Sequence, residues 1–508
     1  MNNCDYEVIN ANEGEDAGNN KLSRKPLFRQ LLVCSGIWTT YFYAGLSMGA
    51  PTVFIPQIRQ NMESFGSINT EMATWLTSIL GFGSAIWVPI LSISSNYLGR
   101  RTPYRVICVL CLIASILLYY SRTVMHILVS ELIASTSFSA QITLLLLIFS
   151  EYTSPQYRGV FLTLKSATLL WGVWVSNTIG TYFYWKDIAL LQIICSLYTI
   201  IVAFIIPESP FWLACKGKFK ECEISHRWLK GTDEKSEKEL IDLIDFHKGN
   251  NDRATNTSTS ISKMDSIKNF FVCVKSKEIY KPILLSMLIQ LLFETTGKIM
   301  CSIYILDLIK EISNSESMAY TTMLILDAIT VLALYIGCGL SKILRRKAML
   351  TASTSVGVIF LFFISAYLYM IEYSTVNENK YVILGFLMIY SLGIGCGPML
   401  LISTITCEIL PLKFRNTCTC IISMYDRILM GLGLKFSPYI FSVLGLPSAF
   451  FLSGVLTSIC LYLLNIYLPE TKDKTLQEIS LAICGQDGRN HTIIKYKFSK
   501  TEEILTRE

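Results

Sequence analysis

Lys165, Glu294, Lys298, Asp327, Asp426, Arg427 and Lys435 stand inside runs that are otherwise apolar. A charge at the centre of a bilayer costs about 2.5–3.5 kcal/mol on insertion scales, and it normally marks a solute path or an internal pair. Glu294 and Lys298 are four apart, so a continuous helix places them on one face, within pairing reach. Asp426 and Arg427 are adjacent, point in different directions on a helix, and so each need another partner. Two readings stay open: a buried ion network that fixes packing, or a site that takes a solute. Other chemistry finds no support. No nucleophile–base pair, metal-ligand set or Gly-rich phosphate loop stands out. Gly393, Gly395 and Gly397 lie in an apolar run, where glycine serves close helix packing or a bend. The sixteen cysteines are scattered, with Cys418 and Cys420 the nearest pair, and the four histidines are dispersed. The expectation is a non-enzyme with no cofactor and no metal.

The elements that carry these charges are membrane spans. The chain has 508 residues, 52% hydrophobic and only 16% charged, with a mean hydropathy of +0.45. A soluble domain carries about 25% charged residues, and a spanning helix needs about 20 mostly apolar ones. Spans are expected near 31–55, 73–95, 103–121, 125–149, 161–184 and 188–206, then near 282–308, 318–340, 348–370, 381–407, 419–442 and 447–468. The fold class is therefore an all-α membrane protein of twelve transmembrane helices. The division is a tail (1–30), a six-helix bundle (31–206), a central loop with short helices (207–281), a second six-helix bundle (282–468) and a tail (469–508). The first apolar run is too long for a signal-peptide core, and no basic n-region precedes it, so it reads as a retained span.

The net charge of +6 does not point to nucleic acid, because Lys and Arg sit in loops between apolar runs. Lys21, Arg24, Arg29, Arg100, Arg101, Arg105, Arg158, Arg345, Arg346, Lys347, Arg415 and Lys472 fall on one side, against Arg59, Arg122, Lys186, Lys310 and Lys380 on the other. The positive-inside rule puts both termini and the central loop in the cytoplasm. In that loop Leu240, Ile241 and Ile244 share one face of a short helix over 233–247, while 251–263, rich in Ser, Thr and Asn, reads as flexible.

The two halves repeat each other. Leu98-Gly99-Arg100-Arg101 follows span 2, and Ile343-Leu344-Arg345-Arg346 follows span 8. Glu151, Pro155 and Arg158 close span 4, as Glu408, Pro411 and Arg415 close span 10. Pro207-Glu208-Ser209-Pro210 ends span 6, and Pro469-Glu470-Thr471-Lys472 ends span 12. Matches in the same order argue for two six-helix pseudo-repeats, a transporter architecture with its site near the midplane.

These motifs resemble the sugar porters of the major facilitator superfamily, over about 30–480. Pro207–Leu213 resembles the signature after helix 6, with Phe211 where many members carry Arg, and Pro469–Ile479 resembles the helix 12 signature closely. The resemblance implies the major facilitator fold and an inner gate of carboxylates and arginines that pair across the halves: Arg101, Glu151, Arg158, Glu208, Arg346, Glu408, Arg415 and Glu470. Departures are as informative. The acidic residue that normally precedes Gly-Arg-Arg is absent, with Asn96-Tyr97 and Ser341-Lys342 in its place. Phe293 and Glu294 stand where span 7 carries glutamines, Ile299 where it carries asparagine, Leu400 and Leu401 replace Pro-Trp, Asp426-Arg427 replaces Asn-Trp, and Ser166 replaces a glutamine. The amides that hold sugar hydroxyls are nearly all gone, and charge has arrived instead. Spans 7 and 11 are neighbours in the family fold, so a Glu294–Arg427 or Lys298–Asp426 contact is expected. Candidate solute-binding residues are Ser166, Trp171, Trp174, Glu294, Lys298, Tyr304, Asp426 and Arg427, the aromatic ones as stacking platforms.

The implied function is transport of a sugar, a hexose or a trehalose-like disaccharide, by alternating-access facilitated diffusion. Proton-coupled members carry an Asp in span 1, whereas Tyr41-Phe42-Tyr43-Ala44-Gly45 has no carboxylate. The charge within the spans leaves two alternatives, a carrier of a different or charged solute and a nontransporting sensor. The lipid bilayer and a small solute are the expected partners, the plasma membrane the expected location, and a monomer the expected state.

Overall fold

The computed structural model describes residues 25–60, 69–256, 277–313, 316–373, 379–410 and 415–472, with isolated positions up to 483. All regular structure in them is helical. The first half comprises α1 (Lys25–Gln60), α2 (Thr70–Leu98), α3 (Arg101–Tyr119), α4 (Val124–Ile142), α5 (Leu144–Tyr152), α6 (Pro155–Tyr182) and α7 (Lys186–Ile205). Three short helices follow: α8 (Pro210–Cys215), α9 (Phe219–Lys230) and α10 (Glu234–Asn256). The second half comprises α11 (Lys277–Thr295), α12 (Lys298–Ile303), α13 (Ile305–Ser313), α14 (Glu316–Ile343), α15 (Arg346–Glu372), α16 (Lys380–Cys396), α17 (Pro398–Ile409) and α18 (Arg415–Tyr467).

Ten helical stretches among the described residues are long and apolar enough to cross a bilayer. One of them, α18, has 53 residues, about 80 Å at 1.5 Å per residue. That is far more than the roughly 30 Å of hydrocarbon. Gly445 breaks it with φ 76°, so it serves as two spans. The 28-residue α6 takes the place of span 5, and every expected span has its helix. Span 4 is α4 and α5, interrupted at Thr143. Span 7 is α11 and α12, interrupted where Gly297 takes φ 73°. Span 10 is α16 and α17, joined at Gly397-Pro398, where proline supplies no N–H to continue the ladder. Asn69, Thr123 and Asn379 cap α2, α4 and α16 with side-chain acceptors.

Within the first half α1 packs on α6, α2 on α4, and α3 on α7; within the second, α11 on α18, α15 on α16 and α18, and α14 on α16. The halves meet where α2 packs on α18 and α6 on α14. At the first seam a Cβ on Gly81 would stand 2.6 Å from the amide nitrogen of Gly431, so the two backbones touch. The outer surface is studded with exposed apolar side chains such as Ile86, Ile194, Phe204, Leu332 and Ile459, the face a bilayer covers.

The helix expected over 233–247 runs on to Asn256, so 251–256 is helical, and the rest of the stretch read as flexible lies outside the described residues. Leu240 and Ile244 pack with Leu213, Ala214 and Cys222. Ile241 is exposed, because its neighbour Leu240 faces inward and one residue turns the helix about 100°. The short helices dock on the start of α1: Arg29 Nη1 donates to the Trp228 carbonyl at 3.0 Å, and Gln30 Nε2 to that of Leu229 at 3.2 Å.

Candidate substrate cavity

A cavity of about 250 Å³ lies between the halves. Tyr41 and Met48 of α1, Gln141 of α4, Lys165 and Ser166 of α6, Gln290 of α11, Asp327 and Thr330 of α14, Ser403 and Thr406 of α17, and Ser423, Asp426 and Arg427 of α18 line it. Its wall reaches Leu146, Cys407 and Thr419, close to the helix ends that carry the arginines, hereafter the basic face. Toward the opposite face the halves are shut. The Tyr304 hydroxyl lies 2.7 Å from that of Thr77 and 2.9 Å from the Leu434 carbonyl oxygen. Trp174 Nε1 donates to the Leu324 carbonyl at 3.2 Å. Lys435 Nζ donates to Thr74 Oγ1 at 3.0 Å and sits 4.0 Å from the Trp75 ring centre.

The interior charges pair differently from the expectation. Asp426 and Arg427 pair with each other, Arg427 Nη2 to Asp426 Oδ2 at 3.0 Å, because a long guanidinium can fold back along its own helix to a neighbouring carboxylate. Glu294 and Lys298 do not share a face, since Gly297 between them interrupts the helix. Lys298 Nζ donates instead to Thr330 Oγ1 and Ser391 Oγ, both at 2.9 Å, with Asp327 its nearest opposite charge. Glu294 is buried off the cavity lining, under the charges of Asp426 and Arg427. Asp327 accepts from Asn177 Nδ2 at 2.6 Å. Of the candidate solute residues, Ser166, Lys298, Asp426 and Arg427 line the cavity. Trp171, Trp174 and Tyr304 are outside its lining: Trp171 Nε1 donates to the Tyr335 hydroxyl at 3.2 Å, and the other two belong to the closed face.

At the basic face the same construction appears twice. Glu208, just after α7, accepts from the backbone N–H of Arg100 at 2.7 Å and of Arg101 at 3.2 Å, at the start of α3. Glu470, just after α18, accepts from the N–H of Arg346 at 3.0 Å and of Lys347 at 3.3 Å, at the start of α15. A carboxylate at a helix N-terminus satisfies orphan donors and meets the positive end of the helix dipole. Beside each is an ion pair, Arg100 Nη2–Glu151 at 2.8 Å and Arg346–Glu408. Both pairs lie within a half, not across the halves. Arg100, not Arg101, holds Glu151; the Arg101 guanidinium donates to the Phe204 carbonyl at 3.1 Å. Arg415 opens α18 without an ion pair to a described residue, and the Arg158 side chain lies outside the described ones.

Sequence reasoning passed over several residues. Glu131 is buried in α4, and its Oε2 has no hydrogen-bond partner among the described residues. Its signal was a lone carboxylate in the middle of an apolar run. Gln141 and Gln290 put two amides on the cavity wall, and Gln141 Nε2 is buried without a partner among the described residues. They were missed because the search for amides was confined to aligned positions, and Gln290 stands one turn before the glutamine position of span 7.

The family model described as "Sugar (and other) transporter" matches residues 31–482. This chain belongs to that family. It is 23% identical to the facilitated trehalose transporter of Apis mellifera ligustica, over 92% of this chain and 91% of that one. It is 23% identical to trehalose transporter 1 of Drosophila melanogaster, over 91% of this chain; there, as in several Drosophila relatives, it spans about half of the relative, 54%. Among solved structures the xylose transporter XylE from E. coli in an inward-open conformation superposes with a TM-score of 0.67 at 14% identity, covering 89% of this chain and 99% of that one. The proton:xylose symporter XylE bound to 6-bromo-6-deoxy-D-glucose gives 0.67 at 15%, over 88% and 98%. At such identities the likeness carries the fold, that of the major facilitator superfamily. This family member is an integral membrane transporter rather than an enzyme.

Proposed function

We propose that the chain carries a sugar, a hexose or a trehalose-like disaccharide, across the plasma membrane by facilitated diffusion. The observation that carries this reading is the cavity between the halves: shut at one face, reaching toward the other, and walled with neutral hydrogen-bonding groups, Gln141, Gln290, Ser166, Ser403 and Thr406. Hydroxyls of a sugar need donors and acceptors that replace water, and amide and hydroxyl side chains supply both. Both walls come from one chain, so a monomer suffices. The excess of Lys and Arg puts the basic face, both tails and the 207–281 segment in the cytoplasm, and the conformation is then inward-facing.

Alternating access requires the outer seal of Tyr304, Trp174 and Lys435 to open as the basic face closes. The clusters Arg100–Glu151–Glu208 and Arg346–Glu408–Glu470 hold the inner helix ends of each half as rigid units. Lys298, Asp426 and Arg427 shape the site. Trehalose transport in the insect relatives supports the disaccharide. The test is entry of radiolabelled glucose and trehalose into proteoliposomes, with and without a proton gradient. Saturable entry independent of the gradient is expected. Binding of either sugar without entry, from folded protein, would replace the carrier with a sensor.

A further inference from the structure

Beside the Asp426–Arg427 pair a third carboxylate, Glu294, is buried off the lining, and three cations against two carboxylates face the cavity. Lys165, Lys298 and Arg427 line it against Asp327 and Asp426. Arg427 is held by Asp426, and Lys298 by two hydroxyls with Asp327 nearby. Lys165 is left over. It enters from α6 ten residues after the helix starts, and its ammonium makes no ion pair and no hydrogen bond with a described residue; it stands 5.5 Å from the Tyr41 ring centroid, with Cys407 also near. The Tyr41 hydroxyl is itself spent on the Gln141 carbonyl at 2.8 Å.

An ammonium with three donors unfilled by described residues, inside a membrane span, is costly to keep unless something in the working cycle answers it. A neutral hexose offers hydroxyls but no charge. A carboxylate offers a charge-assisted hydrogen bond, which is shorter and about twice as strong. The size of the surplus argues for one negative charge: a carboxylate cancels it, whereas a phosphate monoester, with a charge of about −1.5 to −2, overshoots.

Resting on the transport reading above, we propose that the same cavity also takes, and prefers, a sugar acid of the uronate class, its carboxylate paired with Lys165 over the Tyr41 ring. Its hydroxyls meet Gln141, Ser403 and Thr406. Lys165 then acts as the specificity residue that prefers the acid to the neutral sugar. Because each turn of the cycle carries the solute's one negative charge across, its net entry responds to membrane potential.

The test is uptake of labelled glucuronate, glucose and glucose 6-phosphate into proteoliposomes under a potassium–valinomycin potential, with wild type, Lys165→Gln and Lys165→Arg. Expected are saturable glucuronate entry, faster with the interior positive; a glucuronate-to-glucose ratio lowered at least tenfold by Lys165→Gln; and a ratio largely kept by Lys165→Arg. Glucose entry without glucuronate entry, preference for the phosphate, or an unchanged ratio in Lys165→Gln overturns the proposal. If no sugar enters, the transport reading fails instead. Calorimetric binding of glucuronate to wild type and to Lys165→Gln then decides the site: binding lost in the variant supports it, and equal or absent binding in both overturns it.

Discussion

The two basic-face clusters share one plan but not one environment. Arg100 and Glu151 are 6% and 9% exposed, and Glu151 also accepts from Ser209 Oγ at 2.6 Å. Arg346 and Glu408 are each 25% exposed. The central helices explain the difference, since α8 and α9 pack beneath the first cluster, where Trp212 Nε1 donates to the Asn96 carbonyl at 3.1 Å. Desolvation makes a pair expensive to break, whatever it contributes when whole. The first half is thereby the stiffer body, and the second has the looser inner end.

The largest test of that contrast removes one partner. Glu151→Gln takes the ion-pair partner from buried Arg100, which keeps only the Ser95 carbonyl and the nearby Glu208 charge, a loss of about 3–5 kcal/mol. Glu408→Gln should cost less, about 1–3 kcal/mol, because that pair is partly exposed although Arg346 Nη1 and Glu408 Oε2 are themselves buried. Thermal unfolding in detergent reads both, and equal losses would break the comparison. Next, Glu208→Gln and Glu470→Gln each weaken two backbone hydrogen bonds to a charged acceptor. About 1.5–3 kcal/mol is expected at each, and similar values in the two halves would show that these caps, unlike the ion pairs, are symmetric.

Tyr304→Phe removes one hydroxyl from the outer seal, about 0.5–1.5 kcal/mol. It should shift the balance toward outward-facing by roughly two- to tenfold, visible as faster labelling, by an impermeant reagent added at that face, of a cysteine placed at Ile299 on the cavity wall. No shift would assign the seal to packing alone. The last effect is confined to acid pH and concerns the helices under the first cluster. His226 in α9 is buried without a hydrogen-bond partner for either ring nitrogen among the described residues, and desolvation pushes it down from 6.5 to about 4. The folded state favours neutral imidazole, so its contribution is complete above pH 6.5 and is lost as the pH falls from there through about 4. The unfolding midpoint should drop over that window in wild type and less so in His226→Gln.

Much of the fold could be read from the sequence because each span is written in about twenty apolar residues, and the repeat is written in short motifs at their ends. The pairings could not. Whether Arg100 or Arg101 reaches Glu151 depends on the turn at Gly99, whose φ of 89° swings the chain between α2 and α3. Whether Glu294 meets Lys298 depends on one left-handed glycine. Helical spacing speaks only for unbroken helices, and the interruptions at Gly297 and Gly397 lie where the cavity is formed. Trp174 and Tyr304, expected as platforms, were spent on the seal because their N–H and O–H groups at the seam needed partners more than their rings needed a ligand, while Trp171 stands exposed against Tyr335.

The Gly81–Gly431 contact sets how such a molecule can move. Two chains that touch backbone to backbone leave no side chains between them to repack, so the halves can tilt there like a beam on a fulcrum while both ends travel. A single methyl group at Gly81 would lift the beam off its support, and the stroke, rather than the grip on the solute, is what would suffer.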